Sequence, residues 1–153
     1  MIPQYIYITQ NGSKLYYKDK AMMILHREDG PAVEYVDGDK VWYLNGKLHR
    51  EDGPAIERNY GDKTWFSNGE RHREDGPAVE ASDGSKSWWL NGELHREDGP
   101  AVEYADGDKE WWLNGEKLTE EEFKKKTSKE IVLTMDEIAE KLGIEVSKLK
   151  IKK

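Results

Sequence analysis

Four copies of one short word carry the side chains of this chain best suited to acid–base or metal chemistry. In its last occurrence it reads Leu94-His95-Arg96-Glu97-Asp98-Gly99-Pro100-Ala101. It also stands at Leu25 to Ala32 and Leu48 to Ala55, and from Arg71 to Ala78 with arginine in place of the leucine. An imidazole beside two carboxylates is the raw material of a general base or of a metal site. The spacing argues against both. His26, His49, His72 and His95 recur every 23 residues. Two strands per copy at about 4.8 Å each would put successive copies roughly 10 Å apart, too far for one ion whose ligands sit near 2 Å. Catalysis needs one asymmetric site, and this segment is written four times. The four histidines are therefore read as structural corners of a repeat, and no catalytic residue, metal ligand or cofactor is assigned.

The stretches between the words show what must position them. Each contains Gly-Pro-Ala, an apolar residue and glutamate, a turn closing on glycine, lysine, an aromatic pair, and Asn-Gly. The first turns are Asp37-Gly38, Tyr60-Gly61, Asp83-Gly84 and Asp106-Gly107; the second are Asn45-Gly46, Asn68-Gly69, Asn91-Gly92 and Asn114-Gly115. Two glycine turns per copy predict two strand reversals. The fold expected is mostly β: an elongated antiparallel β-meander or solenoid of about five 23-residue hairpin repeats. Glycine and proline in the long arm predict a bent corner there. Residues 1–24 read as a degenerate first repeat, with strands at Tyr5–Ile8 and Lys14–Tyr17, an Asn11-Gly12 turn, and about three extra residues before the first histidine.

Trp42, Trp65, Trp88 and Trp111 repeat unchanged, followed by Tyr43, Phe66, Trp89 and Trp112; the preceding position drifts from Val41 through Thr64 and Ser87 to Glu110. Alternation along a strand puts the two aromatic columns on opposite faces. The constant Trp column is expected to be buried, and the drifting face partly exposed. Val33, Ile56, Val79 and Val102 complete the apolar set.

The repeat array is assigned to residues 1–116 and a small α/β C-terminal cap to residues 117–153. In the cap, Thr119 to Glu122 has the form of a capping box ahead of Lys124-Lys125-Lys126. Glu130 to Leu133 reads as a strand, a second capping box at Thr134 to Glu137 starts a helix over 135–142 stopped by Gly143, and Val146 to Ile151 reads as a last strand.

The net charge is -7. The array holds 14 basic and 23 acidic residues, the cap 10 and 8. An acidic array argues against non-specific binding to DNA or RNA, which depends on neutralising phosphate. It suits a basic protein partner or mimicry of nucleic acid. There is no cysteine, which excludes disulfides and thiolate metal sites. Met1 to Ile6 lacks a basic segment followed by an apolar run, and no apolar run approaches 18 residues. A membrane partner is not expected, and a cytoplasmic protein is.

The run Trp42 to His49, with Asp/Tyr-Gly turns and the 23-residue period, resembles MORN-type repeats, closest to a variant bacterial and viral class. The resemblance covers about residues 5–116; it departs where the usual His-Gly-x-Gly is expanded to His-Arg-Glu-Asp-Gly-Pro. It implies a curved single-layer sheet serving as a non-enzymatic scaffold for proteins or, in some members, lipids. Chains with this version of the word resemble products of bacteriophages, their hosts and large viruses. The expected function is a phage-encoded protein-interaction module that binds and modulates a host protein in the host cytoplasm. Trp42, Tyr43, Trp65, Phe66, Trp88, Trp89, Trp111 and Trp112 would form its surface, with Glu34, Glu57, Glu80 and Glu103 steering association. The alternatives are an acidic nucleic-acid mimic that inhibits a host defence enzyme, and a small-ligand or nucleotide binder using the aromatic groove. Open sheet edges, or the cap, would allow a homodimer.

Overall fold

The computed structural model describes residues 5–128, 138–140, 143 and 145. Strands β1 (Tyr5–Ile8) and β2 (Lys14–Tyr17) form the opening antiparallel hairpin. After the first copy of the word come β3 (Val33–Glu34), β4 (Lys40–Val41), β5 (Tyr43–Leu44) and β6 (Lys47–Leu48). After the second come β7 (Ile56–Glu57), β8 (Lys63–Thr64), β9 (Phe66–Ser67) and β10 (Glu70–Arg71). The third is followed by β11 (Val79–Glu80), β12 (Lys86–Ser87), β13 (Trp89–Leu90) and β14 (Glu93–Leu94). The fourth leads into β15 (Val102–Glu103), β16 (Lys109–Leu113), β17 (Glu116–Leu118) and helix α1 (Glu120–Thr127). Strands β1, β2, β3, β4, β7, β8, β11, β12, β15, β16 and β17 line up in that order as one open antiparallel sheet of 11 strands. The pairs β5–β6, β9–β10 and β13–β14 are separate hairpins.

This differs from a meander of two plain strands per copy, because the chain bends at the tryptophan. The Trp42, Trp65 and Trp88 N–H groups donate to the carbonyls of Ala55, Ala78 and Ala101 at 2.8 Å, while their own carbonyls accept from the N–H of His49, His72 and His95 at 3.1–3.3 Å. Each Trp backbone thus serves two different neighbours, and the strand breaks there. No fifth word follows Trp111, and β16 runs unbroken through it.

The two turn classes are chemically distinct. At Asn45-Gly46, Asn68-Gly69, Asn91-Gly92 and Asn114-Gly115 both residues have positive φ, the requirement of a type I′ hairpin turn that these residue types meet at least cost. Asn11-Gly12 belongs to the other class. Only Gly12 has positive φ there; Thr9 N–H donates to Ser13 C=O and the Asn11 side chain accepts from Ser13 N–H. The same pattern recurs at Tyr35, Asp37 and Asp39. The first hairpin therefore matches β3–β4. The three extra residues fall in the 18–24 loop, where the Asp19 carboxylate accepts from the N–H groups of Met23 and Ile24.

Register explains the recurring lysines and glutamates. Lys14, Glu34, Lys40, Glu57, Lys63, Glu80, Lys86, Glu103 and Lys109 stand side by side across the sheet, each glutamate between two lysines. Opposite charges on directly paired residues stabilise by roughly 0.2–1 kcal/mol each. The neighbouring row runs Leu15, Val33, Val41, Ile56, Thr64, Val79, Ser87, Val102 and Glu110, apolar at the start and increasingly polar. Val33 and Val41 are buried accordingly.

The most deeply buried side chains are small. Ala32, Ala55, Ala78 and Ala101 are 0% exposed, whereas the Trp column expected to be buried is only half-buried, like the aromatics beside it. Each alanine carbonyl accepts a 2.8 Å hydrogen bond from the backbone N–H of Tyr16, Trp42, Trp65 or Trp88. At the C-terminal side, Thr119 and Glu122 form a reciprocal capping box on α1, Lys124, Lys125 and Lys126 occupy its last turn, and Phe123 is buried. Helix α1 packs on β16 and β17. Residues 138–140 are helical and Gly143 has positive φ; the strands expected at 130–133 and 146–151, and the start of that helix, lie outside the described residues.

Candidate functional site

The word is a corner, and each of its residues has a definite task there. The histidine Nδ1 accepts a hydrogen bond from the backbone N–H of the next copy's turn asparagine: His26 from Asn45, His49 from Asn68, His72 from Asn91 and His95 from Asn114, all at 3.0–3.1 Å. An accepting Nδ1 puts the proton of the neutral ring on Nε2, which faces the glutamate two residues on at 3.6–3.9 Å. The histidines thus tie one copy to the next turn.

The arginine organises its own corner. In every copy Nε donates to the aspartate two residues on at 2.7–2.8 Å. Nη1 donates to the proline carbonyl at 3.1–3.2 Å and to Glu34, Glu57, Glu80 or Glu103 at 2.6–3.0 Å. The guanidinium lies over the ring of Tyr16, Trp42, Trp65 or Trp88, 3.9–4.1 Å from its centroid. Such stacking contributes about 0.5–2 kcal/mol. At Trp42, Trp65 and Trp88 the half-buried ring is covered by an arginine. The corner glycine follows from the same geometry. A Cβ on Gly30, Gly53, Gly76 or Gly99 would stand 2.9–3.2 Å from the guanidinium carbon, which its several partners hold in place.

Further bonds join successive copies on the opposite side of the sheet. The Asp39 carboxylate accepts from Asn59 N–H at 2.8 Å and pairs with Arg58 at 2.7 Å, both of which hold it below the usual carboxylate range. Asp62 is lowered chiefly by Ser82 N–H, and Ser85 accepts from Ala105 N–H in the corresponding place. Hydrogen bonds from Arg50, Arg73 and Arg96 lower Asp52, Asp75 and Asp98. Lys117 and then Trp112 lower Glu110, which accepts from both.

Between neighbouring corners lie three successive open clefts of 850, 630 and 710 Å³. Trp42, Trp65 and Trp88 line one each, and each is rimmed by the Glu-Asp pairs of two corners. Counting its two arginines, two glutamates and two aspartates, each cleft carries a formal charge of −2. The corner glutamates Glu28, Glu51, Glu74 and Glu97 are 69–92% exposed. Glu34, Glu57, Glu80 and Glu103 are 31–37% exposed, between arginine and lysine. Of these two glutamate columns, the corner one is the more exposed.

The aromatic columns separate less cleanly than alternation predicts. Trp65 and Phe66 line the same cleft, since the strand breaks between them. Arg71 lies over Phe66 and Trp89, and Lys117 over Trp112; the indole N–H of Trp89 donates to Ser87. Trp111 pairs with Leu118 in the last hairpin. Inter-repeat hydrogen bonds and ion pairs are what four such corners in register would be expected to form; the particular partner, the next copy's turn asparagine, was not legible in advance, although the fixed 19-residue offset was available as a signal.

Among the described residues no three His, Asp or Glu side chains converge to hold a metal ion, and no helix is long and apolar enough to cross a membrane. No protein-family model matches the chain, and no curated protein matches it.

Proposed function

We propose that this chain is a non-enzymatic interaction module, a MORN-like solenoid of about five units, that binds and modulates another protein. Its ligand is an extended cationic segment of that partner, laid along the row of clefts. The observation that carries this reading is the row itself: three clefts of the same chemistry, each with a tryptophan and a formal charge of −2. Lysine or arginine side chains entering such clefts gain attraction from the acidic rims. Following the resemblance of the word, the chain is phage-encoded and its partner a host protein of the cytoplasm.

The corner acids, rather than the paired Glu34 column, would steer association. Replacing Glu28, Glu51, Glu74 and Glu97 with glutamine should slow association with a lysine- and arginine-rich peptide while leaving the melting temperature unchanged. Rates from stopped-flow tryptophan fluorescence across a salt series check this; salt-independent, unchanged rates sink it. In the nucleic-acid-mimic alternative the same acids would make the chain compete with duplex DNA for one cationic enzyme. Nucleotide binding is disfavoured, because acidic rims repel phosphate.

A further inference from the structure

We infer that β1 is a self-pairing edge, and that two copies of this chain join antiparallel through it into one continuous sheet. Among the described residues no strand pairs with the outer side of β1. Which backbone groups face outward follows from the hairpin. Thr9 N–H donates to Ser13 C=O, and Tyr16 directs its N–H to Ala32 and its C=O to His26, away from β1. Antiparallel pairs alternate between bonded and non-bonded. With Ile6 opposite Tyr16 and Ile8 opposite Lys14, the Ile6 and Ile8 N–H and C=O groups point out of the sheet. They form a ready template for another strand.

The edge also lacks the usual protection. Tyr5-Ile6-Tyr7-Ile8 carries no charge and no proline, and Ile6, Tyr7 and Ile8 are 53, 47 and 61% exposed. Eight of the ten exposed large apolar residues described lie between positions 6 and 36, so the apolar surface concentrates at this end.

Three features select a second copy as the occupant. A neutral edge can approach its own image within a chain of net charge -7, where most other surfaces would repel. The strand is its own complement: a two-fold axis through the sheet sets Ile6 against Ile6 and Tyr5 against Tyr7, or Tyr7 against Tyr7 and Ile6 against Ile8. Either register keeps tyrosines on one face and isoleucines on the other, and both match aromatic or β-branched pairs. Finally, α1 packs on β16 and β17 at the far end of the sheet. The two ends of the sheet therefore differ, and a two-fold contact at β1 closes at two copies. Four residues per edge make a smaller interface than stable dimers use, so the dimer should depend on concentration.

Sedimentation velocity of the full chain, from low micromolar to near-millimolar, tests this. The expected result is a monomer–dimer equilibrium that I6K and I8K each weaken at least tenfold, with unchanged circular dichroism. I6P removes an outward N–H, while also fixing φ, and should act likewise; if it unfolds, the two lysine variants decide. A wild type that stays monomeric throughout, or a dimer that persists in both lysine variants, overturns the proposal. Binding of basic peptide to the clefts would be untouched by either outcome.

Discussion

At its C-terminal side the 11-stranded sheet ends under a helix, with Leu118 and Phe123 buried. At its N-terminal side it ends at β1 with isoleucines in solvent. Both ends interrupt the same repeat, in opposite ways. In the opening unit, Tyr16 takes the place of the tryptophan beneath the corner arginine, and a loop with Met22 at positive φ replaces the Asn-Gly turn. In the closing unit, Leu118 stands where a histidine would tie on another copy, and Thr119 stands where the arginine would be. That threonine becomes the N-cap of α1. The difference teaches that the corner propagates the array: losing His and Arg together lets the chain leave the sheet, whereas losing only the tryptophan and the turn does not.

Acid acts on every copy at once and should have the largest effect. Asp39, Asp52, Asp62, Asp75, Asp98, Glu110 and Glu122 all titrate lower than ordinary carboxylates. The folded chain therefore binds fewer protons than the unfolded one in this range. Their contribution is complete above the ordinary carboxylate values near 4 and is lost as pH falls through the lowered ones. Urea midpoints should drop steeply as pH falls below about 4; a flat profile from about pH 5 down to pH 3 would falsify the ladder of paired carboxylates.

Phe123→Ala should be the most damaging single change at the closed end, at about 3–5 kcal/mol for a buried aromatic. Tryptophan fluorescence during urea unfolding checks it. Loss confined to an early transition would show that the end melts separately from the array. Arg96→Ala, which bares Trp88 and leaves Glu103 without its Nη1 donor, should cost about 2 kcal/mol. Arg27→Ala should cost less, because tyrosine is the weaker cation–π partner. Equal losses in the two variants would mean that the ion pairs, not the stacking, set the value. Thr119→Ala removes the cap hydroxyl together with its methyl and should cost about 1 kcal/mol, read as a lower melting temperature with β-sheet content unchanged.

Much of this was legible in local sequence because the chemistry is local. Asn-Gly specifies a positive-φ turn wherever it has that freedom, and Thr119-x-x-Glu122 specifies a cap within four residues. Gly53-Pro54 breaks a strand irrespective of what lies nearby. The Asn11-Gly12 turn shows the limit: its residues permit type I′, but the loop from Thr9 to Ser13 selects another conformation.

The period, the turns, the alternating charge and the two irregular ends were determined by the sequence itself, since each rests on short-range backbone or side-chain preferences. Tertiary structure decided which groups meet. Glu34 and its counterparts are each drawn to an arginine seven residues away, with lysines opposite them on adjacent strands, and so are paired rather than presented to a partner. The alanines, not the tryptophans, became the most deeply buried side chains, each with its carbonyl bonded to the backbone of the adjacent strand or its break. Pairing across strands and stacking over rings depend on distances that a linear order of residues does not contain.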